Sequence, residues 1–316
     1  MSEYFKHRID YINSWPNVEL FQVEKQYREK CEDLRAKGKE LFLPMKMWYS
    51  EDRDYNIAIS QIMDSLDMMP YYPNHAFLFL AAALDNLLDK KIRGRNTTEH
   101  LKNFADKLED IETKNVSLQN TFKSLYNVIP MQACGFLANA IFTNEHNKRK
   151  GDTIGPSQAY KRVTQDEHGS ELPDRSSIVR AIQIKYHIED KIGKETIRNV
   201  ASLFKKILNE NKIELNGTQI LISENFRLDL LLSGLIYSFR NAGAHGKSMA
   251  FSKSSLTDMK RYALNYFCFL STYTVLMSLL IDTLFDGNAQ EKYNELYTVV
   301  NENCEMMRSF FGHNLG

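Results

Sequence analysis

The sequence predicts an all-α protein. Three observations carry that prediction. Apolar residues recur at helical spacing through most of the chain. Strand-like alternation is nearly absent. Glycine (14) and proline (7) are scarce among 316 residues, so long segments run without a breaker. A chain of this length can bury one large core or two modest ones.

The elements follow in order. A first helix is expected over Val18–Leu41, with Leu20, Val23, Tyr27, Cys31 and Leu34 on one stripe. A second spans Asp52–Met68 and is closed by Pro70 and Pro73. His75–Lys90 is apolar nearly all round in its first half, which marks a deeply buried helix. Thr97 or Thr98 is positioned to cap a helix reaching Glu112, followed by Ser117–Val128 and, after Pro130, Met131–Phe142. Thr143–Ser177 then loses apolar periodicity and reads as a long polar loop. Beyond it helices are expected over Ser177–Ile192, Lys194–Asn209, Ser223–Arg240, Ser254–Phe285 and Ala289–Phe311. Asn216–Gly217 between alternating apolar residues predicts a small β-hairpin over Ile213–Ile222. The polar stretch suggests three regions: an N-terminal helical region (1–145), a loop or linker (146–176) and a C-terminal helical domain (177–316).

Charge narrows the function classes. With 40 basic and 40 acidic residues the chain is formally neutral, unlike proteins that coat nucleic acid with their whole surface. Local basic clusters occur at Lys90–Lys91–Arg93–Arg95, at Lys148–Arg149–Lys150 with Lys161–Arg162, and at Lys205–Lys206. Cys31, Cys134, Cys268 and Cys304 are far apart, which gives neither zinc-ligand spacing nor a small-domain disulfide framework. No secretory h-region is evident at the N-terminus, and a cytoplasmic location is expected. Tyr262–Ile281 carries no charge for about the length of a membrane span. Its Asn, Ser and Thr residues and its helical apolar spacing favour a buried core helix, so no membrane partner is expected.

One segment carries chemistry. Phe239–Arg240–Asn241–Ala242–Gly243–Ala244–His245–Gly246–Lys247 stands at the end of an apolar helix. In an unbroken helix Arg240 and His245 point about 140° apart. Gly243 and Gly246 offer places for the backbone to leave the helix and let the two side chains converge. A guanidinium matches phosphate with a planar fork of donors and stays charged at any useful pH. A histidine titrates near neutrality and can move the proton of a ribose 2′-hydroxyl or of a leaving 5′-oxygen. Asn241 is suited to fixing the imidazole or to donating to phosphate, and Lys247 is a candidate RNA contact. Charge stabilisation and a proton shuttle suffice for transesterification at phosphorus, so this chemistry calls for no metal and no cofactor.

The stretch LLSGLIYSFRNAGAHG resembles the signature of the HEPN superfamily: Arg, a polar residue, three to five others, then His. The resemblance implies an all-helical bundle, here with extra N-terminal helices and a long polar loop. It further implies a metal-independent endoribonuclease acting in toxin, abortive-infection or antiphage systems. On that resemblance Arg240 stabilises the phosphate, Asn241 is the polar second residue and His245 transfers protons. It also implies a homodimer with a composite site, and a regulatory protein or antitoxin as a further partner. Arg95–Asn96–Thr97–Thr98–Glu99–His100 obeys the same spacing, although Thr97–Thr98 also suit a simple helix cap. The alternative is a non-catalytic helical module that binds a protein or nucleic acid, since Arg and His at a helix C-terminus also complement its dipole. Asp85, Asn86 and Asp89 on the buried helix, and His187, Glu189 and Asp190, are weaker candidates.

Overall fold

The computed structural model describes residues 3–147, 153–244 and 254–316. Its regular structure is helical apart from two two-stranded antiparallel hairpins. The helices are α1 (Glu3–Asn13), α2 (Gln22–Ala36), α3 (Arg53–Asp67), α4 (Pro73–Lys91), α5 (Thr97–Lys114), α6 (Val116–Val128) and α7 (Met131–Phe142). They continue with α8 (Gln158–Thr164), α9 (Pro173–Lys185), α10 (Lys194–Asn209), α11 (Glu224–Asp229), α12 (Tyr237–Ala244), α13 (Met259–Leu284) and α14 (Ala289–Phe311). Strands β1 (Glu145–Asn147) and β2 (Thr153–Gly155) form one hairpin; β3 (Lys212–Leu215) and β4 (Thr218–Leu221) form the other. Asn216 and Gly217 turn the second hairpin with φ of 53° and 77°, the left-handed geometry that an Asn-Gly pair accepts.

Helix α13 is the axis of the core. Every residue from Tyr262 to Ile281 is buried, with α4, α14 and α7 packed around it. It is long and apolar enough to cross a membrane, yet 83% of that apolar window is buried inside the fold. Three of its hydroxyls are satisfied within the helix: Thr272, Thr274 and Ser278 donate to the carbonyls of Cys268, Leu270 and Thr274 at 2.8, 2.9 and 2.8 Å. This is how a polar sprinkling is tolerated in an apolar core. The extended chain after α2 wraps this axis. There the Tyr266 hydroxyl donates to the Leu41 carbonyl at 2.6 Å, and the Met45 amide donates to the Tyr273 hydroxyl at 2.8 Å.

Several expectations change, among them the helices expected over Val18–Leu41 and Ser177–Ile192, which span Gln22–Ala36 and Pro173–Lys185. The stretch read as a polar loop carries α8, whose Ala159, Tyr160, Arg162, Val163 and Thr164 are all buried, and it already contains the start of α9. A seven-residue helix is too short to establish a period, and its buried arginine disguises it as surface. Helix α5 is capped by Asn96, which accepts from the Glu99 amide at 3.1 Å, rather than by Thr97 or Thr98. The helix expected over Ser223–Arg240 is interrupted by a buried π-helical segment, Leu230–Ile236, and runs on to Ala244. A Cβ on Gly234 would stand 2.7 Å from Leu137 Cδ1 and 3.4 Å from Val163 Cγ2, so glycine there lets α7 and α8 close on the π segment.

One group of buried charges ties α5, α9 and α11 together. Asp229 receives the Arg175 guanidinium and lies 3.9 Å from Lys102 Nζ. Burial pushes the Asp229 carboxyl up against the pull of Arg175 and Lys102.

Candidate functional site

The motif helix α12 is anchored before its polar residues begin. Phe239 inserts between Phe77 of α4 and Phe136 of α7, edge-on to both rings with centroids 5.2 Å away. This contact fixes the rotation of α12 and turns the next residue, Arg240, towards α4. There Arg240 Nη2 meets Asp85 Oδ2 at 2.5 Å, while Nη1 donates to Asn241 Oδ1 at 3.0 Å. Both partners of the ion pair are only partly exposed, 31% for the Arg240 side chain and 24% for Asp85. Burial raises the Asp85 carboxyl above the ordinary range, and the Arg240 charge works against that rise.

Gly243 remains helical and does not release the backbone from α12. Its place is explained by packing, since a Cβ there would approach Leu78 Cδ2 of α4 to 3.2 Å. The expectation that the chain leaves the helix at Gly243 is therefore corrected. His245, Gly246 and Lys247 lie outside the described residues. Arg240 and Asn241 stand together, one turn before the exposed end of the helix at Gly243 and Ala244.

A second guanidinium shares the site. Arg162 of α8 is 7% exposed; its Nε donates to the Ser233 carbonyl at 3.1 Å and its Nη2 to Ser238 Oγ at 2.8 Å. Both cations stand at the Tyr237 ring, with the Arg162 and Arg240 guanidinium carbons 4.8 and 5.7 Å from its centroid. Burial lowers the proton affinity of Arg162, but a guanidinium remains charged at any useful pH. Widening a helix to i→i+5 bonding redirects carbonyls, and Arg162 satisfies one of them. Among the described residues no carboxylate forms an ion pair with Arg162.

Sequence reasoning named Asp85 only as a weaker candidate and placed Arg162 in a basic cluster on a loop. The signal for Asp85 was its isolation on an apolar helix; Arg162 gave none, because only the fold carries α8 under α12. The Arg95–His100 occurrence of the motif spacing is a helix cap. Glu99 accepts from the Arg95 amide and from Asn96 Nδ2, both at 2.8 Å, and the capping Asn96 completes the exchange. His100 is buried there, packed close against Gly94. Among the described residues, no group of three or more His, Cys, Asp or Glu side chains is placed to hold a metal ion. The four cysteines are buried and free.

Comparison of the chain with models of protein families, with curated proteins and with solved structures finds no match.

Proposed function

We propose that the chain is a metal-independent endoribonuclease of the HEPN type, acting as a toxin or as an antiphage or abortive-infection effector. The observation that carries this reading is Arg240, presented by the last turns of α12 and oriented by Asp85, five residues before His245. In the proposed reaction a ribose 2′-oxygen attacks the adjacent phosphorus while its proton passes to a base. The bond to the 5′-oxygen breaks, and that oxygen takes up a proton. The products are a 2′,3′-cyclic phosphate and a 5′-hydroxyl. His245 is the proton carrier in this scheme, Arg240 stabilises charge on the phosphoryl oxygens, and Asn241 and Lys247 contact the RNA. A homodimer that brings two such segments together, held in check by a regulatory partner, is part of the same proposal.

A second reading is favoured by the same ion pair. An arginine already neutralised by a carboxylate is also what a structural helix end looks like, and it suits a non-catalytic binding module. Incubating labelled RNA in EDTA with wild type, Arg240→Ala and His245→Ala separates the two. Cleavage by wild type alone, leaving cyclic phosphate ends, supports the ribonuclease. Cleavage that persists undiminished in both variants removes it.

A further inference from the structure

The basic run at Lys91–Arg95 lines one cleft of the described molecule. The cleft beside Lys91, Arg93, Arg95 and Lys107 is largely neutralised. Lys91 pairs with Asp52 and Asp54 at 3.5 and 2.9 Å, Arg95 with Glu99 at 3.3 Å and Lys107 with Asp282 at 2.5 Å. A second cleft, of about 800 Å³, lies between α7, α10 and α13 and differs in kind. Lys194 and Arg198 come from the first turns of α10, and Lys260 and Arg261 from the first turn of α13. Glu195 is the one acidic side chain on its described wall, and among the described residues none of the four cations forms an ion pair with an acidic side chain. Lys260 Nζ donates to the main-chain oxygen of Gly316 at 3.3 Å; Lys194, Arg198 and Arg261 are exposed.

The floor of this cleft is apolar. Met131, Phe136, Ile197 and Leu264 line it, and the wall given by α7 runs from Met131 to Asn139, roughly 12 Å at helical rise. Phe136 is partly buried, and its ring is the one packed edge-on to Phe239, whose neighbour is Arg240. The cationic cleft therefore ends one aromatic pair away from the candidate site. Cations along the rim with an aromatic and aliphatic floor suit a strand whose phosphates face the rim and whose bases lie on the floor. A duplex hides its base faces and cannot use such a floor.

We propose that this cleft binds single-stranded RNA, holding the segment that flanks the phosphate presented to Arg240. The assignment of RNA rests on the ribonuclease reading; the cleft and its charge do not. A protein with no net charge then gains its affinity for RNA locally, from four cations gathered by the fold out of two separate helices.

The test is fluorescence anisotropy with a labelled 2′-O-methyl single-stranded RNA of about twenty nucleotides, which lacks the attacking hydroxyl and reports binding alone. The triple variant Lys194→Ala, Arg198→Ala, Arg261→Ala removes exposed side chains, and circular dichroism verifies that its fold is unchanged. Binding is expected to weaken by roughly tenfold or more, and the log–log salt slope to flatten by about 2, since each single-strand phosphate contact contributes about 0.7. The matched control is Lys185→Ala, Lys206→Ala, Lys212→Ala, which empties a different basic cleft. Unchanged affinity in the triple variant, or an equal loss in the control, overturns the proposal. Equal competition by the corresponding RNA duplex overturns the single-strand assignment, and equal competition by polyglutamate overturns the assignment to RNA. The two readings fail separately. Loss of binding in the triple variant with no cleavage by wild type keeps the cleft and removes the ribonuclease. Cleavage that needs Arg240, with binding unchanged in the triple variant, does the reverse.

Discussion

Arg240 and Asp85 lie on different helices, 155 residues apart in the chain, and meet at 2.5 Å because Phe239 locks α12 between α4 and α7. The ion pair is the hinge of the functional reading. It sets the direction of the guanidinium, and it leaves Asp85 with a carboxyl that burial raises and only this cation holds down.

Asp85→Asn keeps the shape and removes the charge. Its stability, measured by urea unfolding, is expected to stay within about 1 kcal/mol of wild type, because the burial cost of the carboxylate offsets its pairing with Arg240. Under the ribonuclease reading cleavage falls all the same, because Arg240 loses its orientation. Full cleavage in a folded Asp85→Asn protein would separate the pair from the chemistry.

Arg162→Met keeps much of the buried stem and deletes the donors to the Ser233 carbonyl and Ser238. Leaving that buried carbonyl without its partner costs about 1–3 kcal/mol. The loss is expected as a lower midpoint in thermal unfolding, with faster amide hydrogen exchange across Leu230–Ile236. Exchange unchanged in that segment would show that the π turn holds without Arg162.

Gly234→Val places branched atoms where Leu137 and Val163 already stand, at 2.7 and 3.4 Å from the first added carbon. Overpacking of this kind costs about 1–3 kcal/mol, with α8 displaced from the π segment. Stability equal to wild type would mean that α7 and α8 yield more readily than their burial suggests.

Glu112 gives a pH signature. Its carboxyl is 4% exposed, neither oxygen has a hydrogen-bond partner among the described residues, and burial, aided by nearby Glu224, pushes it up to about 9. The folded chain therefore holds a proton that the unfolded chain releases near 4.5. The stability associated with this proton is fully present below the unfolded value and is lost as pH rises, by about 1.4 kcal/mol per unit up to the folded value. Glu112→Gln removes the titration, so its stability curve is expected to be flatter between those limits and to lie above wild type on the alkaline side. Parallel curves for the two proteins would contradict this.

Much of the fold was legible. Met131–Phe142, Lys194–Asn209 and Ala289–Phe311 begin and end where periodicity and breakers set them. Asn216–Gly217 named its hairpin because that pair accepts positive φ. Helix α8 was not legible: its seven residues carry too few turns to show a period, and Arg162 is buried only because α12 and the π segment lie over it. The same limit applied to the site. Arg240 and Asn241 stand out through their place after an apolar helix, whereas Asp85 became a partner only when α4 was laid against α12.

The sequence by itself determined the helical class, the buried character of α4 and α13, and the chemical types at the end of the motif helix. These are local properties, set by spacing along one chain segment. Which charges face one another was decided by tertiary structure alone. Asp85 is drawn to Arg240, Arg162 is carried beneath Tyr237, and the pairs Lys194 with Arg198 and Lys260 with Arg261 gather around one cleft from helices far apart in sequence. Packing of apolar faces brings such groups together, and the electrostatics that follow depend on distances no single segment contains.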